Sequence, residues 1–592
     1  MGLSDNTIYR TVCATALRFP ERPALRYKRG NAYERLTYCE LLKQARALRA
    51  SLDALGVRRG DRVAILSYNR PEWAVCDLAI QALGAVTVPI YHTLPAAQVR
   101  HYLSDSGATM IIVEDHRQLA KLDPTMERLT VAMIDGHESS GIPTVADMLG
   151  QPRSDAHHDA ALDEAERSVS PDDIATFIYT SGTTGAPKGA MLSHRALLYT
   201  TEAALQFVTI DQRDVFLSFL PLCHVVERVG GYYLPLSVGA EIVYSQGPFA
   251  VAGEIAEVQP TAFICVPRLY DTVRERVTDT LTRLRPVPRR IAHWALAIGR
   301  RAAKRRLDGA SLALVDRVLT PVADRLVLHK IRQRATGGRV RFLVSGGAPL
   351  SPETGFFFES IGVRILEGYG LTEFPVISIN RPETARIGSV GTPLPGVEVR
   401  LGSDGEILAR GPSMMRGYHN LPEETAHVID ADGWFHTGDI GAIDTDDRIT
   451  ITERIKDIIV LANGKNVAPQ PIEARLKESP YIAEAVLFGD GQAVVVALIL
   501  PAREPVEAWA AARGIQVGWD NGALCDSPDL HGLIKAEIAQ QSEELADFER
   551  IRRFALIGRP FSIETGELTP TLKVRRRAVA EQYADILREM QR

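Results

Sequence analysis

Short apolar runs alternate with stretches of helical period through much of the chain. The runs 62–66, 85–90 and 109–113 have the length and β-branched content of buried strands. Residues 41–55 and 73–83 repeat apolar positions at helical spacing. Strand–helix alternation of this kind predicts parallel α/β layers.

The pattern changes near residue 381. Residues 381–453 carry short strands separated by turns such as 403–406 and 430–433, which predicts a mainly antiparallel β subdomain. From residue 454 onward the pattern is mixed α+β and ends in a helix from about Arg576. No internal repeat is visible in the sequence.

Composition is that of a soluble globular protein. The 592 residues exceed one ordinary core, so two or more domains are expected. A net charge of −5 gives no case for nucleic acid as a partner. The six cysteines are scattered without a C-x-x-C pair, no apolar signal opens the chain and no apolar run reaches 18 residues. These features predict a cytoplasmic protein without a zinc site, a disulfide framework or a membrane span.

One segment departs from this acidic background. Residues 281–341 contain sixteen Lys/Arg and three Asp, which gives 16 − 3 = +13, and much of the segment reads as helix around the apolar patch 291–298. A basic amphipathic helix can sit on an anionic membrane surface or guide an anionic substrate. The other interpretation, a solvated helical face packed on the domain by its apolar side, stays open.

A loop rich in small polar residues is the strongest candidate for chemistry. Residues 179–189, YTSGTTGAPKG, lie between an apolar strand at 174–179 and a helix expected from Ser193. Glycines let the backbone approach a ligand, while hydroxyls, backbone N–H groups and the Lys188 ammonium are donors for anionic oxygens. The spacing differs from that of a P-loop, but the residue types predict a polyphosphate cradle.

Three further segments add polar groups, and two of them lie at the ends of predicted strands. Residues 345–350, SGGAPL, and 367–373, EGYGLTE, are glycine-rich turns of the kind that bind ligands in open α/β sheets. The ring of Tyr369 can lie on a base, and Thr372 with Glu373 suits a phosphate oxygen and its Mg²⁺. In 436–439, HTGD, a carboxylate follows a glycine in a predicted loop and could accept hydrogen bonds from ribose hydroxyls.

The four segments YTSGTTGAPKGAMLSH at 179–194, EGYGLTE at 367–373, HTGDI at 436–440 and ERIKDIIVLANGKNVAPQPIE at 453–473 form a recognisable ordered set. Together they resemble the adenylate-forming superfamily of acyl-CoA synthetases, luciferases and peptide-synthetase adenylation domains, over about residues 10–580. Segments 220–228, 266–270, 342–350 and 566–573, and the basic helical insert, look like the long-chain fatty acyl-CoA synthetases. The ending GELTPTLK departs from the more widespread S-G-K form.

The resemblance implies an α/β fold with a large N-terminal domain of layered α/β subdomains plus a β subdomain, and a small mobile α+β C-terminal domain. The expected boundaries are 1–453 for the N-terminal domain, with the insert at about 281–341, then a hinge at 454–457 and a mobile domain at 458–592. It also implies ATP-dependent activation of a long-chain fatty acid to acyl-AMP, followed by transfer to CoA, with Mg²⁺ as cofactor. ATP and CoA are then cosubstrates.

Residue roles follow from the resemblance position by position. Lys573 would bridge the acyl carboxylate and the α-phosphate, His224 would line the same site, and Glu373 would hold Mg²⁺. Thr372 would contact the α-phosphate, and Arg454 would support the nucleotide. Lys456 would be the hinge, and Gly464 would let pantetheine approach the backbone. The expected catalytic residues are Lys573, Glu373, Thr372, His224 and Thr184; the expected binding residues are Ser181, Gly182, Thr183, Thr184, Lys188, Gly346, Gly347, Gly368, Tyr369, Thr372, Asp439, Arg454 and Gly464.

Several alternatives stay open at this point. A fatty acyl-AMP ligase that loads a carrier protein is the nearest, although that group carries an insertion near the domain junction that residues 440–475 lack. A CoA ligase for shorter or aromatic acids is another. A silent acyl or nucleotide sensor should have lost charge at Lys188, Glu373, Asp439 or Lys573, and all four are present; nothing points to a luciferase-like oxygenase. The sequence leaves monomer and homodimer open, and peripheral membrane contact through 281–341 is a candidate.

Overall fold

The computed structural model describes residues 2–123, 128–136, 141–150, 156–180, 187–247, 250–515, 517–519, 527–569 and 573–591, with backbone alone for 156–159, 456 and 591. The first part of the chain forms helices that alternate with strands. Its elements are α1 (Ile8–Arg18), β1 (Pro23–Arg29), β2 (Ala32–Thr37), α2 (Tyr38–Ala54), β3 (Arg62–Leu66), α3 (Pro71–Ala82), β4 (Val86–Ile90), α4 (Ala96–Ser106), β5 (Met110–Val113), α5 (His116–Leu119), β6 (Thr130–Met133), α6 (Val145–Gly150), α7 (Ala156–Arg167), β7 (Ile174–Thr180), β8 (Lys188–Ser193) and α8 (His194–Leu205).

These strands form a six-stranded sheet in the order β6-β5-β3-β4-β7-β8. All neighbours are parallel except β7 and β8, which pair antiparallel. The predicted strands near 62–66, 85–90 and 109–113 are confirmed as β3, β4 and β5. The predicted helix from Ser193 is confirmed as α8, with Ser193 as its N-cap; β8, which pairs antiparallel with β7 and immediately precedes that helix, was not predicted.

The next part of the chain continues a second, larger sheet. Its elements are β9 (Val215–Ser218), a π-helix (Glu227–Tyr233), α9 (Leu234–Val238), β10 (Glu241–Tyr244), α10 (Val251–Val258), β11 (Ala262–Cys265), α11 (Pro267–Thr282), α12 (Pro286–Leu307), α13 (Leu314–Ala323), a second π-helix (Asp324–Leu328), α14 (His329–Thr336), β12 (Phe342–Ser345), α15 (Pro352–Ser360), β13 (Ile365–Tyr369), β14 (Ser378–Ile379) and β15 (Thr392–Pro393).

Nine strands make this sheet, in the order β15-β14-β13-β12-β11-β9-β10-β1-β2. The central strands from β13 to β1 are parallel, and antiparallel strands close both edges. A shared hydrophobic core contains residues of both sheets and of α3, whose Trp73 is fully buried. The carboxyl ends of β9, β11, β12 and β13 therefore lie along one edge, where a parallel sheet places its ligand site.

The remaining chain forms smaller β and α+β units. The elements are β16 (Glu398–Leu401), β17 (Glu406–Arg410), α16 (Pro422–Val428), β18 (Phe435–Ile443), β19 (Ile449–Arg454), β20 (Ile459–Val460), β21 (Asn466–Val467), α17 (Pro469–Leu476), β22 (Ile482–Phe488), β23 (Val495–Pro501), α18 (Arg503–Ala511), α19 (Pro528–Gln541), β24 (Ile551–Leu556), α20 (Arg576–Gln582) and α21 (Ala584–Gln591). A four-stranded sheet, β16-β17-β18-β19, follows the large sheet and is antiparallel, as predicted for residues 381–453. Beyond it lie a two-stranded hairpin, β20-β21, and a three-stranded sheet, β22-β23-β24.

The C-terminal unit has hydrophobic cores of its own on both faces of its three-stranded sheet. One side gathers Val467, Ile472 and Leu530, and the other gathers Val496, Leu498 and Val579. Within the described ranges, no helix is both long enough and apolar enough to cross a membrane.

Candidate active site

The turn after β12 brings the backbone of the large sheet against the C-terminal unit. Gly347 has φ +83°, in the left-handed region that glycine tolerates, and a Cβ built on it would lie 3.9 Å from the Lys573 Nζ. A Cβ on Gly346 would lie 3.6 Å from the Gly368 carbonyl oxygen on the neighbouring strand. The predicted glycine-rich turn at 345–350 is therefore a wall of the site, and Lys573 lies beside it.

Lys573 is held at this place by its own backbone. Its carbonyl oxygen accepts a hydrogen bond of 2.8 Å from the Thr569 N–H, and its N–H donates to the Thr569 Oγ1 at 3.0 Å. An antiparallel bridge between Leu568 and Val574 continues this pairing. Although the sequence departs from the S-G-K ending here, Lys573 still lies at the cleft.

The charge state of Lys573 is set by the groups around it. The Lys573 side chain keeps contact with solvent, but the walls of the cleft limit its hydration. This burial and the nearby Arg454 guanidinium lower the pKa of Lys573 to about 8, whereas Asp439 and Asp457 oppose that shift. Burial, followed by the Lys573 charge, lowers the pKa of His224 to about 3. The site at neutral pH thus presents an ammonium next to a neutral imidazole, which suits an anionic reactant.

Asp439 is the best-anchored carboxylate of the site. Its Oδ1 accepts from the Arg454 Nε at 2.9 Å, and its Oδ2 accepts from the Tyr369 hydroxyl at 2.7 Å. Burial raises its pKa, and the Arg454 guanidinium opposes that shift. The prediction that Asp439 lies in a loop is wrong. Asp439 lies on β18, opposite Arg454 of β19. The strand is irregular there, and the preceding Gly438 has φ +71°. The pair is fixed by two strands, so the carboxylate is preorganised to accept further hydrogen bonds.

Tyr369 and Gly368 also lie on a strand. Residues 367–369 belong to β13 instead of following it, which corrects the predicted strand end. The Tyr369 side chain is buried, and its hydroxyl is directed to Asp439. Whether its ring stacks on adenine stays a prediction.

Glu373 lies in the turn beyond β13, next to Thr372. Its Oε1 accepts from the Tyr418 hydroxyl at 2.6 Å, and its carbonyl oxygen accepts from the Met415 N–H at 2.7 Å. No group of three or more His, Cys, Asp or Glu side chains gathers as a metal site in the described part of the chain. Mg²⁺ is commonly held by one or two carboxylates together with substrate phosphates, so a single Glu373 carboxylate fits that ion.

Lys188 contacts the ring of Tyr418, the tyrosine whose hydroxyl is bonded to Glu373. It lies at the start of β8, forms an ion pair with Glu424, and its ammonium is 5.1 Å from the centroid of the Tyr418 ring. Tyr418 thus links the predicted phosphate-binding lysine to the predicted metal-binding glutamate. The predicted phosphate-binding residues Ser181, Gly182, Thr183 and Thr184 lie outside the described residues.

The junction after β19 and the following hairpin carry the predicted hinge and CoA residues. Residues 455–457 form a 3₁₀ turn in which the Ile458 N–H donates to the Arg454 carbonyl at 3.2 Å, and Lys456 lies in that turn. Gly464 is exposed in the β20–β21 turn with φ +78°, and a Cβ built on it would meet no atom within 4 Å. Lys573 therefore lies against the Gly347 turn, whereas a Cβ on Gly464 would meet no described atom within 4 Å.

A buried charge network beneath His224 was not predicted from the sequence. The Arg228 Nη2 lies 2.6 Å from the Asp77 Oδ1, and both side chains are fully buried. The Tyr233 hydroxyl donates to the Asp77 Oδ2 at 3.1 Å. The backbone N–H of Arg228 donates to the backbone carbonyl of His224 at 2.9 Å. Buried charges persist only when they are paired and hydrogen-bonded, so this network fixes the π-helix to α3 and with it the backbone of His224.

The lowered pKa of Lys573 gives a testable pH dependence. If Lys573 bridges the acyl carboxylate and the α-phosphate, as the resemblance implies, acyl-adenylate formation should fall as pH rises through about 8, because only the protonated ammonium can bridge two anions. Thioester formation from supplied acyl-adenylate should not share this fall, since a thiol ionises further in that range. Single-turnover rates of both half-reactions between about pH 6.5 and 9.5 would separate them.

The Lys573→Arg variant is the control for this profile, because a guanidinium stays protonated throughout that range. Any remaining adenylation in the variant should lose the alkaline fall. The same fall in the variant and in the wild-type protein would assign it to a group other than Lys573.

Comparison with known proteins places these features in a family context. A family model described as AMP-binding enzyme matches residues 13–419, and one described as AMP-binding enzyme C-terminal domain matches residues 456–591. The chain is 36% identical over 573 residues to the long-chain-fatty-acid–CoA ligase FadD15 of Mycobacterium bovis, which covers 93% of this chain and 91% of that protein. It is 32% identical over 586 residues to the peroxisomal long chain acyl-CoA synthetase 6 of Arabidopsis thaliana, covering 94% of this chain and 82% of that one.

Solved structures agree on the fold. The anthranilate CoA ligase AuaEII in complex with anthranoyl-AMP superposes with a TM-score of 0.74 at 21% identity, covering all of both chains. The adenylation domain of the carboxylate reductase from Mycobacterium chelonae gives a TM-score of 0.76 at 25% identity over 99% of this chain and 91% of that chain. The predicted fold class is confirmed.

Proposed function

The chain belongs to the family of AMP-binding enzymes, and on that premise we propose that it activates a long-chain fatty acid with ATP and transfers the acyl group to CoA. The curated relatives described above are ligases of long-chain fatty acids and match more than nine-tenths of this chain. The single observation that carries the catalytic proposal is the position of the Lys573 ammonium beside Gly347, near His224 and Asp439.

In the first half-reaction a carboxylate oxygen of the fatty acid attacks the α-phosphorus of ATP, the bond to the β-phosphate oxygen breaks, and pyrophosphate leaves. Lys573 would lie between the acyl carboxylate and the α-phosphate and reduce their repulsion as they approach. His224, neutral at the working pH, would line this contact without adding charge. Thr372 would donate to the α-phosphate.

Other residues would hold the nucleotide. Asp439, fixed by Arg454 and Tyr369, would accept hydrogen bonds from the ribose hydroxyls. Glu373 would hold Mg²⁺, which when bound neutralises charge on the phosphate oxygens. Lys188 would exchange its ion pair with Glu424 for the β,γ-phosphates, together with Ser181, Thr183 and Thr184.

In the second half-reaction the CoA thiol loses its proton to solvent, its sulfur attacks the acyl carbonyl carbon, and AMP leaves with the electron pair of the broken C–O bond. Lys573 and CoA would need the same space, so we infer a rotation of residues 458–592 about the 454–457 turn, at Lys456. The rotation would withdraw Lys573 and present the Gly464 turn. Two features support this division: the C-terminal unit has cores of its own, and Lys573 lies against the Gly347 turn while a Cβ on Gly464 would meet no described atom within 4 Å.

An AMP-release assay over saturated acids from C2 to C18, with and without CoA, tests the function. AMP release should require both a long acid and CoA. Acyl-adenylate that accumulates to the same extent without CoA, and then loads a carrier protein, would favour the carrier-loading alternative. Preference for short or aromatic acids would overturn the chain-length assignment.

The cellular setting is part of the same proposal. We infer a cytoplasmic enzyme with a peripheral contact to the inner face of the membrane through residues 281–341, where its fatty acid substrate is dissolved. Monomer and homodimer are both compatible with the proposed site, because every residue assigned to it comes from one chain.

A further inference from the structure

Exposed apolar side chains are concentrated in the basic insert. Among the described residues, thirteen large hydrophobic side chains are exposed, and eight of them lie between positions 287 and 326. They are Val287, Ile291, Trp294, Leu314, Val315, Val318, Val322 and Leu326. A cluster of this kind on one surface indicates an interaction site, whereas isolated exposed hydrophobics need no explanation.

The spacing of these residues forms an ordered stripe on α13. Leu314, Val315, Val318 and Val322 follow the i, i+1, i+4, i+8 pattern of one helix face, and Val315 and Val318 are 66% and 67% exposed. Leu319 and Ala323, on the adjoining flank, pack against the core. The helix therefore has one apolar flank packed on the domain and a neighbouring apolar flank in water.

α12 exposes apolar side chains in its N-terminal half. Val287, Ile291 and Trp294 follow the i, i+4, i+7 spacing and are exposed, and the same stripe continues into Ile298, which is buried. The sequence left open whether the insert only packs its apolar side on the domain. The structure shows that packing, and it leaves the N-terminal part of the α12 stripe and the outer stripe of α13 uncovered.

The two helices are fixed to the body of the protein. Gly299 approaches the end of α15 so closely that a Cβ there would lie 2.1 Å from the Ser360 carbonyl oxygen. The Arg306 Nη1 lies 2.7 Å from the Glu359 Oε1, which joins α12 to α15. The Arg301 Nη2 lies 3.1 Å from the Asp316 Oδ1, which joins α13 to α12. These contacts hold the hairpin in place and leave its outer stripe directed away from the core.

The positive charge around the stripe indicates which kind of partner could bind there. Of the sixteen Lys/Arg in residues 281–341, four form ion pairs with described acids: Arg301, Arg306, Arg332 and Arg341. Exposed cations without an ion pair in the described part of the chain include Arg289, Arg290, Arg300, Lys304, Arg317, Arg325 and Lys330. A two-fold contact between two copies of this chain through this same surface would place +13 against +13, which repels. Nucleic acid would satisfy the cations but leave the valines and leucines in water.

The geometry points to a bilayer with anionic headgroups as the occupant, with α12 and α13 lying in the plane of the interface. The stripe would enter the boundary between headgroups and acyl chains, and the surrounding cations would contact the phosphates. This inference rests on the membrane contact of the proposed function and deepens it by naming the surface, the inserted side chains and the lipid charge.

Vesicle sedimentation with the full-length protein tests this surface. Wild-type protein should bind phosphatidylcholine vesicles that contain phosphatidylglycerol, bind pure phosphatidylcholine more weakly, and release from the anionic vesicles as salt rises. The Val315→Ser/Val318→Ser variant should bind at least about tenfold more weakly, since two exposed apolar contacts are lost. Arg317→Gln/Arg325→Gln should bind more weakly with a smaller salt dependence.

The control is Leu17→Ser, which removes an exposed leucine from α1, outside the insert. It should bind vesicles like wild type. AMP release with a long-chain fatty acid presented in neutral detergent micelles should be equal in all variants, which shows that each one folds. Unchanged vesicle binding of Val315→Ser/Val318→Ser, or loss of a dimer in that variant instead, overturns the inference while the ligase proposal stands. Vesicle binding without AMP release under any condition overturns the ligase proposal alone.

Discussion

Replacing Lys573 with alanine is expected to slow acyl-adenylate formation by about 10²–10³-fold, the range seen when one preorganised stabilising group is removed from a transition state. The Lys573 ammonium is the cation that faces the Gly347 wall, and its position depends on backbone bonds to Thr569 that an alanine would keep. Arg454 cannot replace it, because its guanidinium is engaged by Asp439. Without Lys573, the acyl carboxylate and the α-phosphate would approach with their repulsion unscreened.

The two half-reactions should respond differently to Lys573→Ala. Thioester formation from supplied acyl-adenylate and CoA should stay close to the wild-type rate, since Lys573 would be outside the site at that stage. Pyrophosphate release and thioester formation would be followed separately in single turnovers. Arg577→Ala is the matched control, because Arg577 is an exposed cation nearby that pairs with Glu581 of its own helix at 3.1 Å. Equal losses in both half-reactions would contradict the assigned role.

Elements buried on both faces were predictable from the sequence, and long-range polar contacts were not. β3 and β4 are continuous apolar runs because a parallel sheet covers both of their faces, so they were identified directly. β8 was missed because Lys188 and Gly189 interrupt its apolar pattern and a helix follows at once. Its pairing with β7 becomes visible only in three dimensions.

The site shows the same division. Lys573, Glu373 and Asp439 occur in segments with recognisable residue order, so a resemblance could point to them. Tyr418 and Asp77 do not occur in such segments. Tyr418 reaches Glu373 across 45 positions, and Asp77 meets Arg228 across 151, with no spacing in the sequence that relates them. Such residues act through contacts that the fold creates, which is why sequence patterns recover the reacting groups better than the residues that position them.

Replacing Gly464 with leucine is expected to slow thioester formation by about 10²-fold or more, because a displaced nucleophile loses the gain from correct positioning, while acyl-adenylate formation should remain near the wild-type rate. Gly464 lies in an exposed turn at φ +78°, so leucine adds both a side chain and a backbone conformation that it rarely adopts. In the orientation with Lys573 in the cleft, that turn faces solvent and a Cβ would touch nothing. Adenylation should therefore tolerate the change, and the obstruction should arise only after rotation.

Gly514→Leu separates this obstruction from backbone strain. Gly514 has φ +69°, is exposed in the same C-terminal unit, and a Cβ built on it would also meet nothing within 4 Å. The strain at the two glycines is comparable, whereas only Gly464 is assigned to the CoA approach. If Gly514→Leu slows thioester formation as strongly as Gly464→Leu does, the effect is strain in the C-terminal unit and the CoA assignment fails. If Gly464→Leu alone slows this half-reaction and leaves adenylation intact, the turn is the surface along which the CoA thiol reaches the adenylate.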